Sequence, residues 1–196
     1  MSNNRVDFLT PVGRLVSGDC FEAQTLDSEG KPLVIKSGPN AGQPTQRYFL
    51  AIAIPKTDAS FNELYGKMVQ VAKQGFPRLF NDSGECILPT FAWKYEDGDS
   101  QVPNMKGTRN CDREGYPGHW IVKMASSFAP KCYTAGGASV ITDPEAIKRG
   151  YFIRVYGNVV DNASQQKPGI ILNPNMVELV AYGEVLSSGP DGATIF

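Results

Sequence analysis

A single amphipathic helix signal in a chain of 196 residues constrains this fold more than any other feature. Apolar residues recur at Phe61, Leu64, Tyr65, Met68 and Ala72, which lie on one face at helical spacing. Ser60 and Glu63 stand at the spacing of a capping box and Gly75 with Pro77 supplies a stop, so a helix is expected over 61–74. Gly66 weakens its interior by about 1 kcal/mol relative to alanine. A second, short helix is signalled by Asp143 as cap, Pro144 at the first helical position and Gly150 just past the end. A doubly wound parallel sheet needs helices on both faces, and two helices, one of them short, are too few to cover it.

The rest of the chain is cut into short pieces by 20 glycines and 14 prolines that follow no period. Strands are expected over 12–20, over 33–36 and, most strongly, over 47–55 (RYFLAIAIP), which is apolar at nearly every position and so reads as buried on both faces. Tyr48, Phe49 and Phe128 are assigned to the core by their apolar neighbours. Residues 170–172 and 176–182 read as closing strands, with Asn173, Pro174 and Asn175 as the turn between them. Residues 96–118 form a long polar excursion carrying Lys106, Arg109 and Arg113, and loops of that size are usually functional or mobile. The fold class that accommodates these pieces is mainly β with one main α-helix: a partly open, five-stranded Greek-key barrel of OB type with extended loops. One such domain fills 1–196, with 1–8 as a flexible start and 187–196 as a short tail.

Two glycine-bounded blocks, 118–131 (GHWIVKMASSFAPK) and 150–156 (GYFIRVY), interleave aromatic and basic side chains on strand spacing. Side chains alternate faces along a strand, so Phe152, Arg154 and Tyr156 share one face, whereas Trp120 and Lys123 fall on opposite faces. Single-stranded nucleic acid is held by that combination, a positive groove along the backbone with aromatic platforms under the bases. Strands favour tyrosine, phenylalanine and tryptophan in any case, so the same pattern also fits ordinary strand composition with solvated charges. Charge placement bears on the choice. The whole chain carries −1, but residues 102–156 hold eight Lys or Arg against four Asp or Glu, a local +4 around both blocks.

Rival chemistries find little support. There is no GxxxxGK[ST] phosphate loop, and Ser126 and Ser127 lack a GxSxG elbow. The DGDS run beginning at Asp97 has Thr108 where a calcium loop would place its closing glutamate. Cys20, Cys86, Cys111 and Cys132 form no CxxC pair, and His119 is the one histidine, so free reduced thiols and no metal site are expected. Residues 1–7 are polar with no signal-peptide pattern, and no apolar run approaches the roughly 20 residues that span a bilayer. No catalytic residues, no cofactor and no membrane partner are therefore expected, and the chain reads as a non-enzyme.

In order, these segments resemble a family of tailed-bacteriophage single-stranded-DNA-binding proteins. The likeness is carried by the strand ending in Pro55-Lys56, the helix, the segment 91–99 (FAWKYEDGD) and block 118–131, then by Asp143-Pro144, Gly150-Tyr151, Gly169-Ile170, Leu172-Asn173 and Gly183-Glu184. It spans roughly residues 9–186. The resemblance implies an OB-fold protein that coats single-stranded DNA during phage replication or recombination, in the cytoplasm of the infected bacterial host, without sequence preference or cofactor. It also implies recruitment of phage replication proteins through an acidic C-terminal tail ending in an aromatic. The ending GPDGATIF keeps Phe196 and has Asp191 as its one acid.

From the residues and the resemblance together, Lys56, Lys94, Lys123, Lys131 and Arg154 are expected on phosphates, and Trp93, Tyr95, Trp120, Phe152 and Tyr156 under bases. Two other readings stay open. One is a phage structural or assembly protein that uses the same aromatic strands as a subunit interface. The other is a nucleic-acid enzyme that uses Asp97 and Asp99 with Mg²⁺.

Overall fold

Apolar residues at every second strand position roll this chain into one nine-stranded sheet. The computed structural model describes residues 4–186 apart from 28, 36, 37 and 105. In chain order the strands are β1 (Val6–Leu9), β2 (Gly13–Gly18), β3 (Tyr48–Pro55), β4 (Tyr95–Asp97), β5 (His119–Ser126), β6 (Lys131–Tyr133), β7 (Val140–Ile141), β8 (Phe152–Asp161) and β9 (Ile170–Ala181), and the helix α1 (Phe61–Gly75) follows β3. Their order in the sheet is β4-β5-β3-β2-β8-β9-β6-β7, with β1 on β8 just beyond the stretch that pairs with β2. Five of them, β5-β3-β2-β8-β9, make the barrel, and β5 comes back to pack along β9 without a hydrogen-bonded ladder to it. That is the partly open Greek-key order of the OB type.

The barrel interior takes alternate residues: Leu50, Ile52 and Ile54 from β3, Val122 and Met124 from β5, Ile153 and Val155 from β8, Val177 and Leu179 from β9. Helix α1 lays Phe61, Leu64, Met68, Val71 and Ala72 against this core. Burying a large apolar side chain contributes about 1.5–3 kcal/mol, so this one stripe anchors the helix.

Several local expectations are corrected. The flexible start is shorter than 1–8, because Phe8 is buried at 1% exposure and Val6–Leu9 pairs with β8. The capping box does not form; the Asp58 carboxylate accepts from the Ser60 N–H at 2.9 Å and from its hydroxyl, so the turn before the helix is held one step earlier. The second helix shrinks to a 3₁₀ turn, Pro144–Ala146, although Asp143 does accept from the Glu145 N–H at 3.0 Å. Residues 33–35 join no strand of the sheet: they pair within the excursion 19–47, which carries isolated bridges from Gln24 to Arg47, Leu26 to Pro32 and Val34 to Pro44 and backbone bonds from Leu33 to Thr25 and from Thr45 to Leu33. Residue 36 and the tail 187–196 lie outside the described residues. Phe128 is 82% exposed and not in the core.

The most instructive correction concerns residues 173–175, expected as a turn, since β9 runs straight through them for 12 residues. Proline lacks a donor and is tolerated within sheets at bulges. Pro174 faces Gly157 where the β8–β9 register shifts. A Cβ at Gly157 would stand 2.1 Å from the Asn173 carbonyl oxygen and 2.9 Å from the Phe8 ring, so the missing side chain lets the two strands close.

Candidate nucleic-acid interface

Strand alternation gives β3 two working faces. Leu50, Ile52 and Ile54 point into the barrel, and Phe49, Ala51 and Ala53 point outward. The small Ala51 and Ala53 make room for a second, external core in which Tyr116, from the 98–118 loop, and Leu186 cover Val16 and Ile121. The cover stops at Phe49, which packs on its edge half-buried. β3 and β5 are the second and third strands of the barrel, and in OB folds that face is the one that takes oligonucleotides.

An open groove lies there. On one side a cleft of about 470 Å³ is lined by Gln24, Thr25, Leu26, Asp27, Arg47 and Phe49. The Arg47 guanidinium donates to Gln24 Oε1 at 2.8 Å and sits 5.9 Å from the Phe49 ring centroid, so ring and cation are presented together. On the other side a cleft of about 320 Å³ is lined by Lys123, Arg113, Glu96, Asn110 and neighbours from the 98–118 loop. Arg113 stacks over Tyr116 at 3.9 Å, while Lys123 donates to the Glu96 carboxylate, which also accepts from Asn110 at 3.3 Å.

Lys94 stands next to Lys123. Its backbone is left-handed, with φ 64°, a conformation uncommon outside glycine, and its carbonyl accepts the Lys123 N–H at 2.8 Å. Partial desolvation, together with the charges of Lys123 and Arg47, lowers its pKa from the usual lysine value. Its exposed side chain is thus a cation held near two others, a place where an anion relieves repulsion. Among the described residues, no carboxylate forms an ion pair with Arg47, Lys94 or Arg113.

The ten residues expected at the site separate into three groups. Lys123 lines the second cleft and Lys94 lies beside it. Lys56 closes a clasp, donating to Asp97 at 2.5 Å and Asp99 at 2.7 Å, with Trp120 under its ammonium at 4.8 Å, and the two carboxylates raise its pKa. Asp99 also accepts from the Gly118 N–H at 2.8 Å, so the acidic turn ties β3, β4 and β5 together. Trp93, Tyr95 and Trp120 form the second group and are half-buried. Their rings meet one another and α1: Trp120 lies 5.6 Å from Phe61 and from Tyr95, and Trp93 lies 4.6 Å from Phe91 and 5.8 Å from Tyr65. Burial, with Tyr65 beside it, pushes the Tyr95 phenol up to about 12.

Phe152, Arg154, Tyr156 and Lys131 form the third group, on the outer face of β8, β9 and β6. Phe152, Arg154 and Tyr156 do share one face, with Phe152 and Tyr156 each 37% exposed. Arg154, however, is spent on Glu178 through contacts of 2.9 and 2.7 Å, and the Tyr156 hydroxyl donates to Asp7 at 2.9 Å. The segment 183–186 runs between this patch and the groove, held by Arg14 to the Glu184 carbonyl at 2.9 Å and by Leu186 in the external core. Arg47 and Phe49 were missed as groove residues. Their signal was present, since 47, 49, 51 and 53 fall on one strand face, but an apolar run of that strength reads as two buried faces.

Barrel order and strand pairing together define an OB-type fold. No family model and no curated protein sequence matches the chain. Solved structures do share its fold. The single-stranded DNA-binding protein from bacteriophage Enc34 superposes with a TM-score of 0.64 at 14% identity, covering 99% of this chain and 94% of that one. The same phage protein in complex with ssDNA gives 0.62 at 14% identity, over 96% of each chain. Bacteriophage T7 gp2.5, a single-stranded DNA-binding protein, gives 0.60 at 11% identity, over 97% of this chain and 94% of its own. The likeness read from the order of short segments and the likeness of fold lead to the same group of phage proteins.

Proposed function

We propose that this protein binds single-stranded DNA without sequence preference in the groove over β3 and β5. The observation that carries the reading is the set of cations without carboxylate partners, Arg47, Lys94 and Arg113, arranged around the exposed edge of Phe49 on the barrel's ligand face. Phosphates meet Arg47, Lys94, Arg113 and Lys123, the last exchanging Glu96 for a phosphate, and a base stacks on Phe49 beside Arg47. A ring face accepts any base, and backbone contacts carry no sequence, so this chemistry is indifferent to sequence. The acidic turn is taken up by the fold in this reading, with Asp97 and Asp99 held by Lys56.

The setting that follows is phage DNA replication or recombination in the cytoplasm of an infected bacterium, with one domain coating exposed strands and the C-terminal end available to replication proteins. Support comes from the shared fold with phage proteins described as single-stranded DNA-binding. No helix among the described residues is long and apolar enough to cross a membrane. Fluorescence anisotropy with labelled poly-dT and with duplex at two salt concentrations tests the proposal. Tight, salt-sensitive binding to the single strand is expected, and equal affinity for duplex or indifference to salt would sink it.

A second reading, a subunit interface, is favoured by one observation. Leu9, Tyr156 and Met176 expose 51%, 37% and 41% of their surface side by side on the outer face of β1, β8 and β9. A stable large oligomer in size-exclusion chromatography, unaffected by added oligonucleotide, would support it.

A further inference from the structure

Two separate stretches of chain line the first cleft of the groove. Gln24, Thr25, Leu26 and Asp27 come from the excursion between β2 and β3, and Arg47 and Phe49 come from the entry into β3. Each stretch contributes one large apolar side chain: Leu26, which leaves 52% of its surface exposed, and Phe49, half-buried at the edge of the external core. The stretches are tied at one end, where Gln24 and Arg47 exchange backbone hydrogen bonds of 2.9 Å and the Arg47 guanidinium reaches Gln24 Oε1 at 2.8 Å. Beyond that tie the Leu26 stretch is held by the excursion itself, through the bridge to Pro32 and through the Asp27 carboxylate, which accepts the N–H groups of Glu29 and Lys31 at 2.8 and 3.0 Å. About 470 Å³ stays open in the cleft, inside the range of about 300–1,000 Å³ typical of small-ligand sites.

We propose that this cleft is a slot for one unpaired nucleobase, with Phe49 as one wall and Leu26 as the other, and that Leu26 thereby sets a preference for single strands over duplex. The inference rests on the reading that the groove binds single-stranded DNA, and it adds the residue that makes the choice. Phosphate contacts serve either form of DNA, because both carry the charged backbone. A base inside a duplex is stacked on both faces and paired at its edge, and turning it out costs unstacking and unpairing energy from which a free strand is spared. The slot therefore rewards only the unpaired base. Its two ends differ in charge: Arg47 stands at the tied end and Asp27 lies three residues along from Gln24, so a phosphate is drawn to the Arg47 end and the base enters between Leu26 and Phe49. The Thr25 side chain in the lining carries a hydroxyl that donates or accepts, which suits any base edge and agrees with binding that is indifferent to sequence.

The test compares three labelled probes by fluorescence anisotropy at one salt concentration: oligo-dT, an abasic oligomer of the same length, and a duplex. The abasic oligomer keeps the phosphates and lacks the bases, so it reads the cations alone. In the full-length protein, Leu26→Ala is expected to weaken oligo-dT binding about 5-fold or more, the low end of what one stacked base contributes, and to leave the abasic oligomer and the duplex unchanged. Val34, 42% exposed on the same excursion and outside the cleft lining, supplies the control, and Val34→Ala should bind all three probes as the unaltered protein does. The inference is overturned, with the single-strand reading left standing, if Leu26→Ala binds oligo-dT undiminished, if it loses the abasic oligomer to the same extent, or if Val34→Ala loses as much. Equal affinity of the unaltered protein for oligo-dT and duplex overturns both.

Discussion

Replacing Lys94 by alanine probes the cation held beside Lys123 and Arg47. Arg47, Lys94 and Arg113 lack carboxylate partners among the described residues, and Lys123 shares Glu96. With one phosphate neutralised by each of these four cations, log affinity for a single strand falls with log salt at about −0.7 per contact, about −2.8 in all. Lys94→Ala removes one contact and brings the slope to about −2.1, and Arg47→Ala does the same. Lys123→Ala costs less affinity than either, because that lysine must leave Glu96 before it meets a phosphate. Lys56→Ala is the control: its ammonium already has Asp97 and Asp99, so the slope stays unchanged. The assay is anisotropy of labelled poly-dT over a salt series for each variant. Unchanged slopes in Lys94→Ala and Arg47→Ala, with a reduced slope in Arg154→Ala or Lys131→Ala, would refute the reasoning and move the strand to the β8–β9 face.

Phe49→Ala should weaken single-strand binding by about 1–3 kcal/mol at every salt concentration with no change in slope, since a stacking platform carries no charge. Because its pKa is lowered in the free protein, Lys94 loses its charge earlier on alkaline titration than an ordinary lysine, so affinity should fall at lower pH in the unaltered protein than in Lys94→Arg. Gly157→Ala should destabilise by about 1–3 kcal/mol through overpacking at the β8–β9 bulge, a fall of roughly 2–12 °C in thermal midpoint for a chain of this size. The Asp97 and Asp99 carboxylates have pKa values lowered first by Lys56, so their contribution to stability is present above the ordinary carboxylate range, about pH 4, and is lost as pH falls through the lower folded values. Denaturation of Lys56→Met across that window should lack this part of the acid loss; an identical acid limb would count against the clasp.

Sequence by itself determined the elements whose signal is local. The stripe Phe61, Leu64, Met68 fixed the helix to within a residue of its end, and the run 47–55 fixed β3, because periodic apolar burial is written into consecutive positions. Strand alternation also put Phe152, Arg154 and Tyr156 on one face before any strand was paired. What tertiary structure decided was which of these side chains still had something to give. Trp93, Tyr95 and Trp120 stand out as aromatic in a list of residues, and only the fold shows that Phe61 and Tyr65 of α1 pack against their rings. Arg154 and Lys56 look like phosphate contacts until Glu178, Asp97 and Asp99 come into reach from 24, 41 and 43 residues away. Conversely Arg47 and Phe49 were hidden in an apolar run, and their place beside a cleft shows only once residues 24–27 fold back against them. Periodicity reports a side chain's direction, but its availability depends on partners that only the pairing of distant strands brings within a few ångströms.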